Sequence, residues 1–142
     1  MSFDLKGMNI LITGASSGIG RQAALTYGKR KANIIALGRS QSALETLDDD
    51  LVKYNCNVSL VPFDLMQFDL IKDMEQKLSE RIDHLDVLFL NAAAFGSLTP
   101  ITHITEAEWN ETFAVNLTSN VILLKLFEPY LKKTNQLKDI CV

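Results

Sequence analysis

The chain has 142 residues, 47% of them hydrophobic, and a formal net charge of −3 at pH 7. This composition predicts one soluble globular domain, and an acidic balance with scattered lysines and arginines argues against nucleic acid as a partner. No apolar run approaches the roughly 20 residues of a membrane span, and the N-terminal residues lack the pattern of a secretory signal. With only two cysteines, we expect no metal motif or disulfide framework and a reducing compartment, the cytoplasm.

The first predicted strand, Met8 to Thr13, leads into a glycine-rich turn with the sequence TGASSGIG at 13–20. In such a turn Gly14 would reverse the chain, Gly18 would let the backbone approach a pyrophosphate, and Gly20 would let the following helix lie close to the strand. The amides at that helix N-terminus favour an anion. The spacing G-x-x-x-G-x-G is one residue longer than the common dinucleotide fingerprint, and the missing Lys-Ser/Thr excludes a Walker A loop. Taken alone, the stretch is also compatible with an ordinary glycine-rich turn.

Short apolar runs then alternate with longer amphipathic ones, which predicts a parallel sheet with helices on both faces, a three-layer α/β/α fold. Strands are predicted at 8–13, 33–37, 57–63, 85–91 and 137–142, and helices at 18–30, after Ser40, at 68–81 and at 106–133. Pro62 favours an edge position for the third strand, as a doubly wound sheet of order 3-2-1-4-5 provides.

Apolar residues at helical spacing predict the face that each helix turns to the core. Thr105 to Glu108 predict a capping box, Ser40 an N-cap, and His84 and His103 surface positions. The predicted core-facing sets are Ile19, Ala23 and Tyr27; Leu44, Leu47 and Leu51; Leu70, Met74 and Leu78; and Trp109, Phe113, Leu117, Val121 and Leu124.

Three segments resemble, in order and spacing, the short-chain dehydrogenase/reductase family: TGASSGIG at 13–20, DVLFLNAAA at 86–94, and Val115-Asn116-Leu117. The resemblance covers nearly the whole chain. It implies a Rossmann-like dinucleotide-binding domain over residues 1–142, incomplete relative to the family and truncated in the fifth strand. It also implies hydride transfer to or from a carbonyl or alcohol. The cofactor-binding residues it implies are Gly14, Ser16, Ser17, Gly18, Ile19, Gly20, Arg39, Ser40, Asp64, Leu65, Asn91, Ala92 and Ala93.

Arg39 follows the second predicted strand, at the position whose residue type distinguishes NAD-binding sites from NADP-binding sites. A carboxylate there accepts from the ribose 2′-hydroxyl of NAD, whereas an arginine pairs with the 2′-phosphate of NADP. Because Gly38-Arg39 contains no acid, we expect NADP rather than NAD, with Ser16 and Ser40 as further donors to the phosphate. Many NADP-preferring relatives also carry a basic residue where this chain has Ser17. The alternative is that Arg39 is a solvated loop residue.

Asp64-Leu65 and Asn91-Ala92-Ala93-Ala94 follow the third and fourth predicted strands. The resemblance implies that the acid–apolar pair contacts adenine and that the small residues leave room for adenine and ribose. The second segment departs from the usual Asn-Asn-Ala-Gly at its second and fourth positions. A helix cap at Asp64 and plain packing at the strand end are the alternatives.

Asn116 is the residue that the resemblance assigns to catalysis, where it would help to hold a water linking the active-site lysine to solvent. A buried structural asparagine, bonded to a neighbouring strand, is the alternative, because an amide on an apolar face needs a partner. The family's serine and Tyr-x-x-x-Lys pair cannot be assigned, since Tyr130 to Lys133 precedes the fifth strand. Residues 1–142 alone are therefore expected to show no turnover.

Two functional interpretations stay open. One is an NADP-dependent oxidoreductase represented by its cofactor-binding half, and the other is a catalytically inactive NADP(H)-binding module or gene remnant. The expected partners are the dinucleotide, a small carbonyl or alcohol substrate, and a second copy of the chain through helix 106–133. No metal site is expected.

Overall fold

The structure, a computed structural model, describes residues 4–133 and 139–141. In these residues five parallel strands form one sheet in the order β3-β2-β1-β4-β5, which confirms the predicted order. The predicted outer parts of the last strand, 137–138 and Val142, lie outside the described residues. The strands are β1 (Asn9–Thr13), β2 (Asn33–Gly38), β3 (Val58–Pro62), β4 (Val87–Phe89) and β5 (Asp139–Cys141).

Helices cover both faces of the sheet, as the alternating pattern predicts. One core lies between the sheet and the first two helices, and a second lies between the sheet and the third and fifth helices. A π-helical turn at Ala114–Thr118 interrupts the predicted long helix, and a short 3-10 turn at Ile101–His103 precedes it. The helices are α1 (Gly18–Lys29), α2 (Gln41–Val52), α3 (Phe68–Ser79), α4 (Glu106–Phe113) and α5 (Ser119–Lys132).

The inner face of α1 is formed by Gly20, Ala24 and Gly28. The prediction for this face is wrong at Ile19, which is 74% exposed, whereas Ala23 and Tyr27 are half-buried and pack against the core. The reason is close packing: a Cβ on Gly28 would stand 2.4 Å from Cδ2 of Leu51. Small residues therefore face inward and the larger ones are turned aside.

The predicted core residues Leu44, Leu47 and Leu51 of α2 are all fully buried, and the Ser40 hydroxyl caps the helix by accepting from the Ala43 amide at 3.3 Å. In α3 the buried set is Ile71, Met74 and Leu78. Leu70 was predicted instead of Ile71 and is 47% exposed. Each residue turns an α-helix by about 100°, so a shift of one position changes the face.

The long helix buries mainly the side opposite to the predicted one, although the predicted residue Leu124 is half-buried and packs against the core. The predicted residues Trp109, Phe113, Leu117 and Val121 are between 45% and 55% exposed, and we refer to these four as the outer stripe. The buried side carries Val115, Ser119, Leu123, Phe127 and Leu131. This helix is apolar on two sides, and periodicity alone does not tell which side meets the sheet.

The capping box is present at the start of α4. The Thr105 hydroxyl accepts from the Glu108 amide, and the Glu108 carboxylate accepts from the Thr105 amide. The Ser97 hydroxyl also donates to Glu108, so that hydrogen bonds from Ser97 and then Thr105 hold the pKa of Glu108 below its ordinary value. These bonds fix the loop after β4 against α4. Of the predicted surface histidines, His103 is exposed, whereas His84 is half-buried.

Candidate functional site

A cleft of about 560 Å³ opens at the carboxyl edge of the sheet, where β1 lies between β2 and β4. The chain leaves β1 and β4 for opposite faces here, which is the usual position of ligand crevices in open α/β sheets. Every cofactor residue implied by the sequence lines this cleft except Gly20. The lining also includes Leu37, Gly38, Phe63, Ala94, Phe95 and Val115, which sequence reasoning did not select.

Glycine is required at the turn between β1 and α1 because the chain passes very close to the end of β4. Gly14 has a φ of +66°, and a Cβ there would stand 2.9 Å from Cα of Ala92. Gly20 does not line the cleft. A Cβ on Gly20 would stand 2.3 Å from the carbonyl oxygen of Gly14, so this residue lets α1 pack directly on the turn.

The N-terminus of α1 lies at the cleft and has no side-chain cap. Its N-cap residue, Ser17, is extended and makes no capping hydrogen bond, and the first turn contains no acidic residue. Gly18 follows with a φ of +52° and open space where a Cβ would be. The positive end of the helix dipole and its amides are therefore available to an anion.

Thr13, which the sequence interpretation did not single out, holds the two central strand ends together. Its buried hydroxyl accepts from the amides of Asn91 at 2.9 Å and Ala92 at 3.0 Å. In return, Nδ2 of Asn91 donates to the Thr13 carbonyl oxygen at 3.1 Å. The Asn91 side chain thus fixes the glycine turn rather than pointing freely into the cleft. A threonine at a strand end gives little signal for this role in the sequence.

Arg39 lines the same cleft at the end of β2. Its side chain is 69% exposed, and Nη1 lies 3.6 Å from Oε1 of Glu111 on α4. Ser16 comes next to this end, because a Cβ on Gly38 would stand only 3.0 Å from Oγ of Ser16. Glycine at position 38 therefore leaves the space that Ser16 occupies, and the fold gathers Ser16, Arg39 and Ser40.

Asp64 lies on the wall of the cleft after β3. Its Oδ1 accepts from the Met66 amide at 3.0 Å, which closes a small turn. It is not the N-cap of α3, since that position is Gln67. Asp64 and Leu65 therefore face the cleft as part of the loop between β3 and α3.

Asn116 lies in the π-helical turn and is exposed, in contrast to the buried position considered from the sequence. Its side chain pairs with the backbone of Ala94 in the loop after β4, through hydrogen bonds of 2.7 and 2.8 Å. Its own carbonyl oxygen accepts from Nδ2 of Asn120 at 3.0 Å. π-helical turns are rare and frequently occur at functional sites.

Tyr130 and Lys133 are not brought to the cleft. The Tyr130 carbonyl accepts from the amide of Leu85, which precedes β4, so this pair lies at the amino edge of the sheet. The Tyr130 hydroxyl donates to Glu75, and burial together with that bond raises the pKa of Tyr130. An acid or base role at the cleft is therefore closed to this tyrosine.

Residues 8–138 match the family model described as short chain dehydrogenase. The chain belongs to this family. An uncharacterized oxidoreductase, YvrD, from Bacillus subtilis (strain 168) is 32% identical over 135 residues, covering 95% of this chain and 50% of the relative. The 5-keto-D-gluconate 5-reductase of Escherichia coli (strain K12) is 30% identical over 141 residues, covering 98% of this chain and 55% of the enzyme.

Solved structures of this family share the fold. A metagenomic short-chain oxidoreductase in complex with NADP superimposes with a TM-score of 0.85 at 28% identity, covering 91% of this chain and 58% of that one. A short chain dehydrogenase of Escherichia coli CFT073 complexed with NADPH gives 0.83 at 28% identity, with 93% and 57% covered. The chain thus spans about half the length of the curated relatives it matches.

No helix among residues 4–133 and 139–141 is long and apolar enough to cross a membrane. The same residues contain no group of three or more His, Cys, Asp and Glu side chains that would hold a metal ion.

Proposed function

We propose that residues 1–142 form the dinucleotide-binding half of an NADP(H)-dependent oxidoreductase that acts on a carbonyl or alcohol. The observation that carries the proposal is the arrangement of the cleft. The uncapped N-terminus of α1 and Arg39 both line it, so a single cleft offers two anion sites. NADP carries a pyrophosphate and a 2′-phosphate, which are two anionic groups joined by an adenosine ribose.

The cleft fits the first of these groups at the glycine turn. Gly18 has open space beside its Cα, so a phosphate oxygen can approach the backbone amides of α1. Gly14 and Gly20 support this approach indirectly. Because they lack side chains, Gly14 can pack against Ala92, and Gly20 can pack against the carbonyl group of Gly14. The helix dipole adds an attraction of about 0.3–1 kcal/mol for an anion at this terminus.

The part of the cleft beside Arg39 fits a 2′-phosphate. Arg39 supplies a charged donor, and Ser16 and Ser40 supply hydroxyls beside it. Asp64 and Leu65 on one side, and Ala92 and Ala93 on the other, would flank the adenine. The complexes of two relatives with NADP and NADPH support this choice of cofactor.

When bound, the cofactor would supply or accept a hydride at the carbon of the substrate carbonyl or alcohol. The residues of this chain would bind and orient it, and Asn116 would support the reacting end through its attachment to Ala94. We propose for Asn116 the role that the resemblance implies, holding a water on the path of the proton. The residues that line the cleft would contact the dinucleotide, so they do not define the substrate.

A second candidate is a module that binds NADP(H) without turning it over. The observation that favours it is the position of Tyr130, which is bonded to Glu75 at the amino edge of the sheet. In the described residues, this tyrosine with its nearby Lys133 therefore gives the cleft no proton donor. General acid–base catalysis contributes a factor of about 10²–10⁴, so its loss would leave binding largely intact and the reaction slow.

Calorimetric titration of the protein with NADP and NAD, at one fixed ionic strength, tests the proposal. We expect NADP to bind about ten to a hundred times more tightly, as a charge-assisted contact provides. Absence of binding by either dinucleotide would contradict the proposed function, and equal binding would contradict the preference for NADP. NADPH consumption with a set of small aldehydes and ketones then separates the oxidoreductase from the binding module.

We also propose that the protein self-associates through the outer stripe. Trp109, Phe113, Leu117 and Val121 leave a continuous apolar surface on α4, the π-helical turn and α5, and the rings of Trp109 and Phe113 lie 4.8 Å apart. Exposed apolar patches of this kind mark interaction sites. A second copy of the same helix would present a matching apolar surface, as closed dimers require.

A further inference from the structure

Arg39 is engaged from across the cleft before any phosphate arrives. It follows β2, whereas its ion-pair partner Glu111 belongs to α4, one helical turn before the cleft residue Val115. The atoms Nη1 of Arg39 and Oε1 of Glu111 are 3.6 Å apart. The ion pair thus links the two sides of the cleft at the end where the 2′-phosphate would bind.

This ion pair is weak enough to be exchanged. The Arg39 side chain is 69% exposed and that of Glu111 is 41% exposed. Exposed pairs of this kind stabilise the paired state by a factor of at most about five. A phosphate that pairs with the guanidinium would displace the carboxylate, and the two anions would then repel each other across a few ångströms.

We propose that Glu111 is a specificity-determining residue that selectively weakens NADP(H) binding by competing with the 2′-phosphate for the guanidinium of Arg39. The inference rests on the proposed function, since it assumes that NADP(H) occupies this cleft. NAD has a free 2′-hydroxyl and does not need the guanidinium, so the competition leaves its affinity unchanged. Glu111 therefore reduces the preference that Arg39 creates.

Asp64 is another carboxylate at the cleft, but a hydrogen bond already holds it in place. Its Oδ1 accepts from the Met66 amide and closes the turn after β3. Among the described residues, the Glu111 side chain makes the ion pair with Arg39 and no hydrogen bond, so its carboxylate can move away when a phosphate takes Arg39. A loss of charge at Glu111 therefore changes the competition without removing a hydrogen bond that holds the wall of the cleft.

The test is calorimetric titration of Glu111→Gln with NADP and with NAD. Glutamine keeps the size of the side chain and has a similar helix propensity, so folding is preserved. We expect NADP to bind roughly three to ten times more tightly than to the wild type, with NAD changed less than about twofold. The gain should shrink as salt is added, because exposed charges are screened. Glu106→Gln, which removes the same charge from the exposed first turn of α4, is the matched control and should change neither affinity.

The same titrations of Glu111→Gln in an Arg39→Ala background test whether Glu111 acts through Arg39. If the carboxylate acts mainly by occupying Arg39, the gain from Glu111→Gln should fall sharply once the guanidinium is gone, leaving only the direct repulsion between carboxylate and phosphate; a gain that persists in full would contradict the competition. Unchanged NADP affinity in Glu111→Gln, with wild-type binding still dependent on Arg39, would overturn this inference and leave the proposed function standing. If the wild type binds neither dinucleotide, both are overturned. Glu111→Ala provides a second variant, and the urea midpoint of each variant confirms that it is folded.

Discussion

Asn116 and Ala94 are joined by a pair of hydrogen bonds, in which Nδ2 donates to the Ala94 carbonyl at 2.8 Å and Oδ1 accepts from the Ala94 amide at 2.7 Å. The amide side chain thus acts as a strand-like partner for one residue of the loop after β4. Because that loop continues from Asn91, Ala92 and Ala93 on the cleft wall, the pair couples the π-helical turn to the shape of the site.

Replacing Asn116 with alanine should loosen this loop. Two hydrogen bonds are lost, so we expect a decrease in the free energy of unfolding of about 1–2 kcal/mol. The free energy of opening at the Ala94 amide, measured by hydrogen exchange, should fall by at least as much as the free energy of unfolding. Urea unfolding and exchange by NMR measure both effects. Asn110→Ala, at an exposed position of the preceding helix, is the control and should leave the Ala94 amide protected; equal exchange in the two variants would contradict the coupling.

Gly18 and Gly7 provide a matched pair for testing the phosphate site. Their φ angles are +52° and +76°, and a Cβ at either position would meet no atom within 4 Å. Alanine at each should therefore cost a similar strain, about 1–2 kcal/mol, for a left-handed backbone. Only Gly18→Ala places a methyl group at the N-terminus of α1, where an anion would approach.

We expect NADPH affinity to fall about tenfold or more in Gly18→Ala, which corresponds to about 1.4 kcal/mol, and to stay within twofold in Gly7→Ala. Calorimetry gives the affinities, and urea unfolding gives the matched destabilisation. Equal losses of affinity in both variants would mean that stability, rather than access to the helix N-terminus, controls binding.

Self-association through the outer stripe predicts a different kind of variant. Val121→Lys introduces a charge into the stripe, and a charge that is buried without a partner at an interface strongly disfavours association. We expect the dissociation constant of the dimer to rise about tenfold or more in sedimentation velocity. Leu98→Lys is the control, since Leu98 is a fully exposed apolar residue of the loop outside the stripe. A wild-type protein that stays monomeric at high concentration would contradict the proposal.

The parts of the fold that follow from local chemistry are those that the sequence predicts well. Buried strands such as β1 and the Thr105 capping box need only short patterns, and the glycine spacing at 14–20 follows from a backbone that must turn sharply. Helix faces are harder, because two apolar sides compete. The inward side of α5 is decided by packing against the sheet and α3, which no stretch of the helix encodes by itself.

In the site too, features set by a local pattern are predicted, whereas those set by long-range contacts are missed. That Arg39 lines the cleft could be predicted from its position after a strand, because this position meets the adenosine ribose in dinucleotide-binding folds; its role toward a 2′-phosphate stays a prediction. Thr13 and Glu111 are missed because their partners lie far away along the chain, at Asn91 and Arg39 respectively. Asn91 is found, yet its side chain holds the glycine turn, a role that depends on two strand ends lying side by side. Contacts between residues that are distant in the sequence therefore determine the parts of the site that the motifs do not predict.

The most direct measurement is the ratio of NADP to NAD affinity in the wild type, Arg39→Ala and Arg39→Asp, by calorimetry at one ionic strength. We expect a wild-type preference for NADP of about ten to a hundredfold, its near loss in Arg39→Ala, and a reversal in Arg39→Asp, where a carboxylate repels the phosphate and accepts from the 2′-hydroxyl. Arg30→Ala, at the exposed C-terminal end of α1, should leave the ratio unchanged. A ratio in Arg39→Ala equal to that of the wild type would contradict this role of Arg39 and place the 2′-phosphate site elsewhere.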